Sequence, residues 1–127
     1  MSGDMRILVV DDHPLNRRIL AELFEALGCS VATAECGLDA LAASSVERFD
    51  LICLDRHMPG LSGDQVLAAL PVDQFVLAWS TDLTDLPCRF NGTLAKPLTL
   101  AAAESAIARA IAWQIAVAQR GNNLSSR

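Results

Sequence analysis

The sequence predicts an α/β fold, a doubly wound parallel sheet of five strands with helices on both faces. Short apolar runs alternate with helical patterns in β-α-β-α order. The runs "RILVV" (6–10), "LICL" (51–54) and "FVLAW" (75–79) lack the period-two alternation of a half-solvated strand. Strands apolar on both faces belong in a parallel sheet covered by helices. In such sheets the polar chemistry gathers at the carboxyl ends of the strands.

Each element has its own signal. After the strand 6–10, Leu20, Leu23, Phe24 and Leu27 recur at helical spacing over 14–27, and Gly28 stops the helix. "SVATA" (30–34) is a weaker strand, and "GLDALAASSVE" (37–47) repeats Leu38, Leu41 and Ala42 on one helical face. Beyond the strand 51–54, Ser62 and Gln65 form an S-x-x-Q capping box ahead of Val66, Leu67 and Leu70. "GTLA" (92–95) is a short last strand, and Thr99 can cap a final helix running to about residue 119. Two apolar stripes are expected on that helix. Leu100, Ile107 and Ile111 form the one expected to face the sheet. Ala106, Ala110, Trp113 and Val117 form the other, either packed on the shortened loop region or left as a surface for a second copy or another partner.

The chain has 127 residues, the size of one domain, with a core expected over about 5–119 and a flexible tail over 120–127. A charged fraction of 20% beside 52% hydrophobic residues argues against wholesale disorder. The net charge of −5 argues against the basic stripe of a nucleic-acid binder, and no basic run of five or more offers the simplest electrostatic membrane anchor. No signal-peptide layout opens the chain, because Asp11 and Asp12 interrupt a short apolar run. The alanine-rich stretch 99–119 carries Glu104, Arg109 and two glutamines, and reads as a soluble helix rather than a membrane span. Cys29, Cys36, Cys53 and Cys88 form no C-x-x-C pair and read as free thiols in a reducing, cytoplasmic setting.

The residues that follow the strands are Asp11 and Asp12, then Asp55, then Ser80 and Thr81, then Lys96. Parallel strands bring these ends together. Clustered carboxylates repel one another unless a cation compensates. Hard oxygens beside open water positions suit Mg²⁺. A carboxylate can accept a phosphoryl group, and Mg²⁺ with Lys96 would supply the charge neutralisation. A Ser80 hydroxyl could bond a phosphoryl oxygen. Adjacent Ser80 and Thr81 are also ordinary turn residues, and Ser80 is preferred because it follows the strand directly.

"ILVVDDHPLNRRIL", "DLICLDRHMPGLSG", the strand-end "WST" and "LAKP" together resemble bacterial two-component response-regulator receiver domains, over about residues 5–119. The resemblance implies the flavodoxin-like strand order 2-1-3-4-5. It implies that Asp55 is the phosphoacceptor and that Asp11, Asp12, Asp55 and the backbone carbonyl of His57 hold Mg²⁺. Ser80 would be the switch hydroxyl and Lys96 the partner of Asp55 or its phosphoryl group, followed by a cis Lys96–Pro97 bond. His13 would be a loop residue near the pocket. The implied partner is a sensor histidine kinase or a histidine phosphotransfer protein, docked on the outward side of the first helix at Leu15, Ile19 and Glu22.

Three departures stand beside the resemblance. Only "TDLTDLPCRFNGT" (81–93) separates the Ser80 strand from "LAKP", too little for the usual fourth helix, so a loop or one short turn is expected. Thr93 stands where the family has an aromatic that couples to the switch hydroxyl. Thr81 replaces a small residue, and with Asp82 and His57 it flanks the path of an attacking water. No output domain is expected after residue 119, which fits a stand-alone regulator or the receiver of a hybrid kinase. Such a domain catalyses only its own phosphorylation and dephosphorylation. A phosphorylation-independent interaction module keeping the same fold is the alternative. An aspartyl-nucleophile phosphatase is more remote, because His57 replaces its second aspartate.

Overall fold

The computed structural model describes residues 4–125. One sheet is built from β1 (Arg6–Val10), β2 (Ser30–Ala34), β3 (Leu51–Asp55), β4 (Val76–Ser80) and β5 (Gly92–Ala95). All neighbours run parallel in the order β2-β1-β3-β4-β5, the doubly wound order expected. The helices are α1 (Pro14–Ala26), α2 (Gly37–Val46), α3 (Gly63–Ala69) and α4 (Leu100–Ser125).

Alternate residues of each central strand serve two cores. Ile7 and Val9 of β1 pack with Leu20 and Phe24 of α1 and with Ala103, Ala106 and Ala110 of α4. Leu8 and Val10 turn to the other face, onto Ala40 of α2 and Val66 and Leu67 of α3. This is why the strands show no alternation: both faces leave water, at roughly 1.5–3 kcal/mol for each fully buried large aliphatic side chain. Cys53 lies wholly inside, and burial pushes its thiol up to about 12, so it is an inert core residue.

Local chemistry sets the helix ends. Pro14 opens α1, where a missing N–H costs nothing, and Gly28 closes it with φ +89°. The expected capping box of α3 is present: the Ser62 hydroxyl accepts from Gln65 N–H and the Gln65 side chain accepts from Ser62 N–H. The Thr99 hydroxyl accepts from Ala102 N–H at the start of α4.

Three expectations change. In α2 the inward face is Gly37, Ala40 and Leu41, while Leu38 is 69% exposed. Val66 and Leu61 press so closely on Gly37 that the helix docks through its smallest residues. α4 continues to Ser125, past its expected end near residue 119, and takes in 120–125 of the expected tail; 126–127 lie outside the described residues. The two stripes of α4 largely exchange roles. Ala106 and Ala110 are buried with Ala103, whereas Leu100 (49%) and Ile111 (45%) are exposed and Ile107 is only partly covered. A narrow alanine stripe lets the helix backbone lie close to the sheet, and larger side chains are pushed to its flanks. Trp113 packs on Phe75 with ring centroids 5.6 Å apart, so it is no free partner surface. Trp113→Glu is expected to cost about 2 kcal/mol, from lost aromatic burial, and to lower the melting temperature accordingly. A melt unchanged from wild type would restore the surface reading.

The segment between β4 and β5 contains no helix, as its Pro, Asn and Gly suggested. It is held by side chains instead. Arg89 donates to the carbonyls of Leu70 and Pro71 at 3.2 and 3.1 Å, and Asn91 pairs with Val76 through both backbone and side chain. By length and composition α4 is apolar enough to cross a membrane, but its alanine face is the floor of the first core.

Candidate functional site

The carboxyl edge of β1, β3 and β5 collects Asp11, Asp55 and Lys96. Asp11 follows β1 and is fully buried; Asp55 ends β3 and is 3% exposed. Buried carboxylates need compensation, and one ammonium supplies it. Lys96 Nζ lies 3.1 Å from Asp11 Oδ2 and 3.2 Å from Asp55 Oδ2. The Lys96–Pro97 bond after it is cis. Asp11 Oδ1 also accepts from His13 N–H at 2.8 Å, and Asp55 Oδ1 from His57 N–H at 3.2 Å.

The two carboxyls are pushed in opposite directions. Burial raises both. At Asp11, hydrogen bonds from His13 N–H, Trp79 and Lys96, with the lysine charge, outweigh burial and hold it below the usual carboxylate value. At Asp55, burial wins, the neighbouring Asp11 charge adds to it, and the carboxyl is raised. Asp55 is therefore the group whose ionised form most needs a cation.

Asp12 is half-exposed beside them. Asp11, Asp12 and His13 bring ligand atoms within 4.8 Å of one another, close enough to hold one ion. Asp55 lies outside that group, across Lys96. Three carboxylates against one ammonium leave two negative charges uncompensated, which fits a divalent cation bound through hard oxygens. His13 comes nearer than a bystander: its Nδ1 is 3.5 Å from Asp12 Oδ1.

The remaining expected residues sit around this cluster. Ser80 is 2% exposed and its hydroxyl accepts from Asp82 N–H at 3.0 Å, a local turn. The His57 side chain points outward to Asp82, Nε2 to Oδ2 at 3.4 Å. The Thr84 hydroxyl and N–H hold the Asp82 carboxyl below its ordinary value. Thr81 is exposed and borders an open cavity of about 320 Å³ with Asn16, Ile19, Trp79, Lys96 and Pro97. Thr93 does not join the cluster: it pairs with Ala78 inside the sheet, and its carbonyl accepts from Arg109 at 3.1 Å.

Two residues escaped the sequence reading. The buried Trp79 donates its indole N–H to Asp11 Oδ2 at 2.8 Å, and Lys96 Nζ stands 5.3 Å from its ring. Arg56, 7% exposed, forks onto Asp64 and onto carbonyls of the β4–β5 segment. Trp79 reads as core in any strand pattern. A charge directly after a buried strand, with an acid eight residues on, was the available signal for Arg56.

An acid cluster tied to one lysine at the carboxyl edge of a doubly wound sheet has the chemistry to hold a divalent cation beside an anionic group. The comparisons give that class its family. The family model of the response regulator receiver domain matches residues 7–108, and the chain belongs to that family. The chain is 48% identical over 62 residues to the sensor histidine kinase RcsC of Escherichia coli strain K12, covering 49% of this chain and 6% of that protein. It is 36% identical over 108 residues to hybrid signal transduction histidine kinase E of Dictyostelium discoideum, covering 73% of this chain and 6% of that protein. Thus the chain spans about 6% of the length of these curated relatives. Among solved structures, the response regulator TrrA of Thermotoga maritima, in complex with Mg²⁺-BeF, matches with a TM-score of 0.78 at 28% identity, over 84% of this chain and 98% of that chain. The Vibrio cholerae chemotaxis protein CheY4 matches in fold with a TM-score of 0.78 at 24% identity, over 85% of this chain and 99% of that chain.

Proposed function

We propose that the domain takes a phosphoryl group from a phosphohistidine onto Asp55 in a Mg²⁺-dependent step. The observation that carries this is the lysine bridge: Lys96 ties Asp11 to Asp55 in a buried cluster, and with half-exposed Asp12 beside it the site has two excess negative charges. Asp11, Asp12, Asp55 and the His57 carbonyl would hold Mg²⁺, which when bound supplies charge neutralisation for the phosphoryl oxygens. An Asp55 oxygen attacks phosphorus, a P–O bond forms, and the P–N bond to the donor imidazole breaks with its electron pair returning to nitrogen. Lys96 follows the developing charge from carboxylate to phosphoryl oxygen. Ser80 offers its hydroxyl hydrogen while its oxygen keeps Asp82 N–H. Thr81 and Asp82 stand at the mouth and set how readily water reaches the acyl phosphate.

The donor is a sensor histidine kinase or a phosphotransfer protein, and the setting is cytoplasmic. Residues 1–127 act as one receiver unit, free-standing or within a hybrid kinase. The docking surface is the outward side of α1, where Leu15 is 67% and Ile19 41% exposed beside the open cavity. Leu15→Asp is expected to slow transfer from a phosphohistidine donor at least tenfold while leaving labelling by acetyl phosphate within twofold. Equal slowing in both assays would move the docking surface elsewhere. Mass spectrometry of the intact protein after acetyl phosphate and Mg²⁺, with and without EDTA, tests the phosphoacceptor itself.

A further inference from the structure

The segment that replaces the usual helix between β4 and β5 is tied to the turn after Asp55 by one buried side chain, Arg56, beside an exposed His57–Asp82 contact at 3.4 Å. Arg56 Nε and Nη2 each lie 3.2 Å from an oxygen of Asp64, a two-pronged pair at the start of α3. Its Nη1 donates to the Thr84 carbonyl at 2.7 Å and the Asp82 carbonyl at 3.1 Å, and Nη2 reaches the Asp85 carbonyl at 3.5 Å. One guanidinium thus joins three chain segments: the Asp55 turn, α3 and residues 82–85.

The root of this side chain has no slack. The Arg56 carbonyl accepts from Gly63 N–H at 2.9 Å, and Gly63 is packed against the backbone of Asp55 and Arg56. The segment 82–85, by contrast, is held beyond Arg56 only by Leu83, which packs on the second core, and by polar contacts of its exposed residues. Asp82, Thr84 and Asp85 are exposed, and Asp85 sits at φ +49°, an unfavourable conformation for a non-glycine residue. The segment's other polar tethers are the Asp82 N–H to the Ser80 hydroxyl and the exposed Asp82 carboxylate to His57 Nε2 at 3.4 Å. Arg56 and Ser80 therefore grip Asp82 from two sides, one at its carbonyl and the other at its N–H. If Ser80 is drawn toward a group on Asp55, Asp82 cannot both follow it and stay on Arg56.

We propose that Arg56 is a positioning residue that latches residues 82–85 in the resting state, and that phosphorylation of Asp55 releases this segment through Ser80. The proposal rests on the phosphoacceptor reading. It gives the chain a route from the pocket to its surface that needs neither an aromatic at Thr93 nor a helix after β4.

Hydrogen–deuterium exchange of the full chain tests it, read on peptides covering 81–90 with and without acetyl phosphate and Mg²⁺. Intact mass of the same samples reports the labelled fraction. In the wild type, exchange over 81–90 is expected to quicken at least threefold on labelling. Arg56→Lys keeps the charge but loses the fork. It should exchange at the fast rate before labelling, respond no further, and label at Asp55 within twofold of wild type. Asp64→Asn, which weakens the fork without touching the segment, should give an intermediate rate. Labelled wild type with unchanged or slower exchange over 81–90 would overturn the latch. So would Arg56→Lys and Asp64→Asn both exchanging like wild type. Wild type that takes no label at all refutes the phosphoacceptor reading and the latch with it, a result recognisable from the mass alone.

Discussion

Asp55→Ala is expected to take up no phosphoryl group from acetyl phosphate or from a phosphohistidine donor, so that intact-mass spectra of the treated variant match the untreated protein. The same result is expected of Asp55→Asn. The effect is all-or-none because no other carboxylate shares its setting: Asp11 is fully buried and already bonded to His13, Trp79 and Lys96, and Asp12 lies outside the lysine bridge. Labelling of wild type and Asp55→Ala to the same extent would place the acceptor elsewhere. A second readout follows from the raised Asp55 carboxyl. A carboxyl raised on folding binds its proton more readily in the native state, so its ionised form subtracts stability above the folded value. That cost disappears as pH falls below its ordinary 3.8. At pH 7 without Mg²⁺ the cost is present. Asp55→Asn is accordingly expected to melt higher than wild type in EDTA, and to gain less from added Mg²⁺. Thermal melts at pH 7 with EDTA and with Mg²⁺ check both signs.

Most of the framework was legible in the residues. Strand ends could be read because apolar runs stop abruptly at Asp11, Asp55, Ser80 and Lys96, and parallel pairing converts those stops into one site. The missing helix between β4 and β5 was legible from Pro87 and Asn91-Gly92. Helix faces were harder. Alanine is apolar at every position, so α4 offers several stripes of similar pattern, and only packing decides that Ala103, Ala106 and Ala110 go inward. In α2 the inward face is marked by small size rather than apolarity, which periodicity does not register. Trp79 and Arg56 were missed for a related reason. Each is defined by what its far end reaches, Asp11 in one case and Asp64 with the 82–85 carbonyls in the other, and those partners are distant in sequence or on another element.

Gly63→Ala is expected to be the most damaging Gly→Ala change among the described glycines. A Cβ at residue 63 would stand 2.1 Å from the Asp55 carbonyl oxygen, 2.7 Å from Arg56 Cα and 2.8 Å from the Asp55 carbonyl carbon. These are backbone atoms, so no side-chain rotation relieves the clash. Two responses remain. The first turn of α3 can lift away, which breaks the Gly63 N–H bond to the Arg56 carbonyl and strains the Ser62–Gln65 capping box. Alternatively the turn after β3 can shift, which displaces the Asp55 carboxylate from Lys96. Overpacking with no soft neighbour costs about 3 kcal/mol or more, a fall in melting temperature of roughly 10 °C for a domain this size. Gly60→Ala is the matched control. Gly60 has φ +79° but nothing within 4 Å of an added Cβ, so only backbone strain of about 1 kcal/mol is expected. Melts followed by tryptophan fluorescence, paired with the acetyl phosphate labelling rate, distinguish the two responses. A stable but slow-labelling Gly63→Ala would mean that the turn gives way, whereas an early melt with normal labelling at low temperature would mean that the helix does. A variant that melts and labels like wild type would show that α3 does not press on the Asp55 turn.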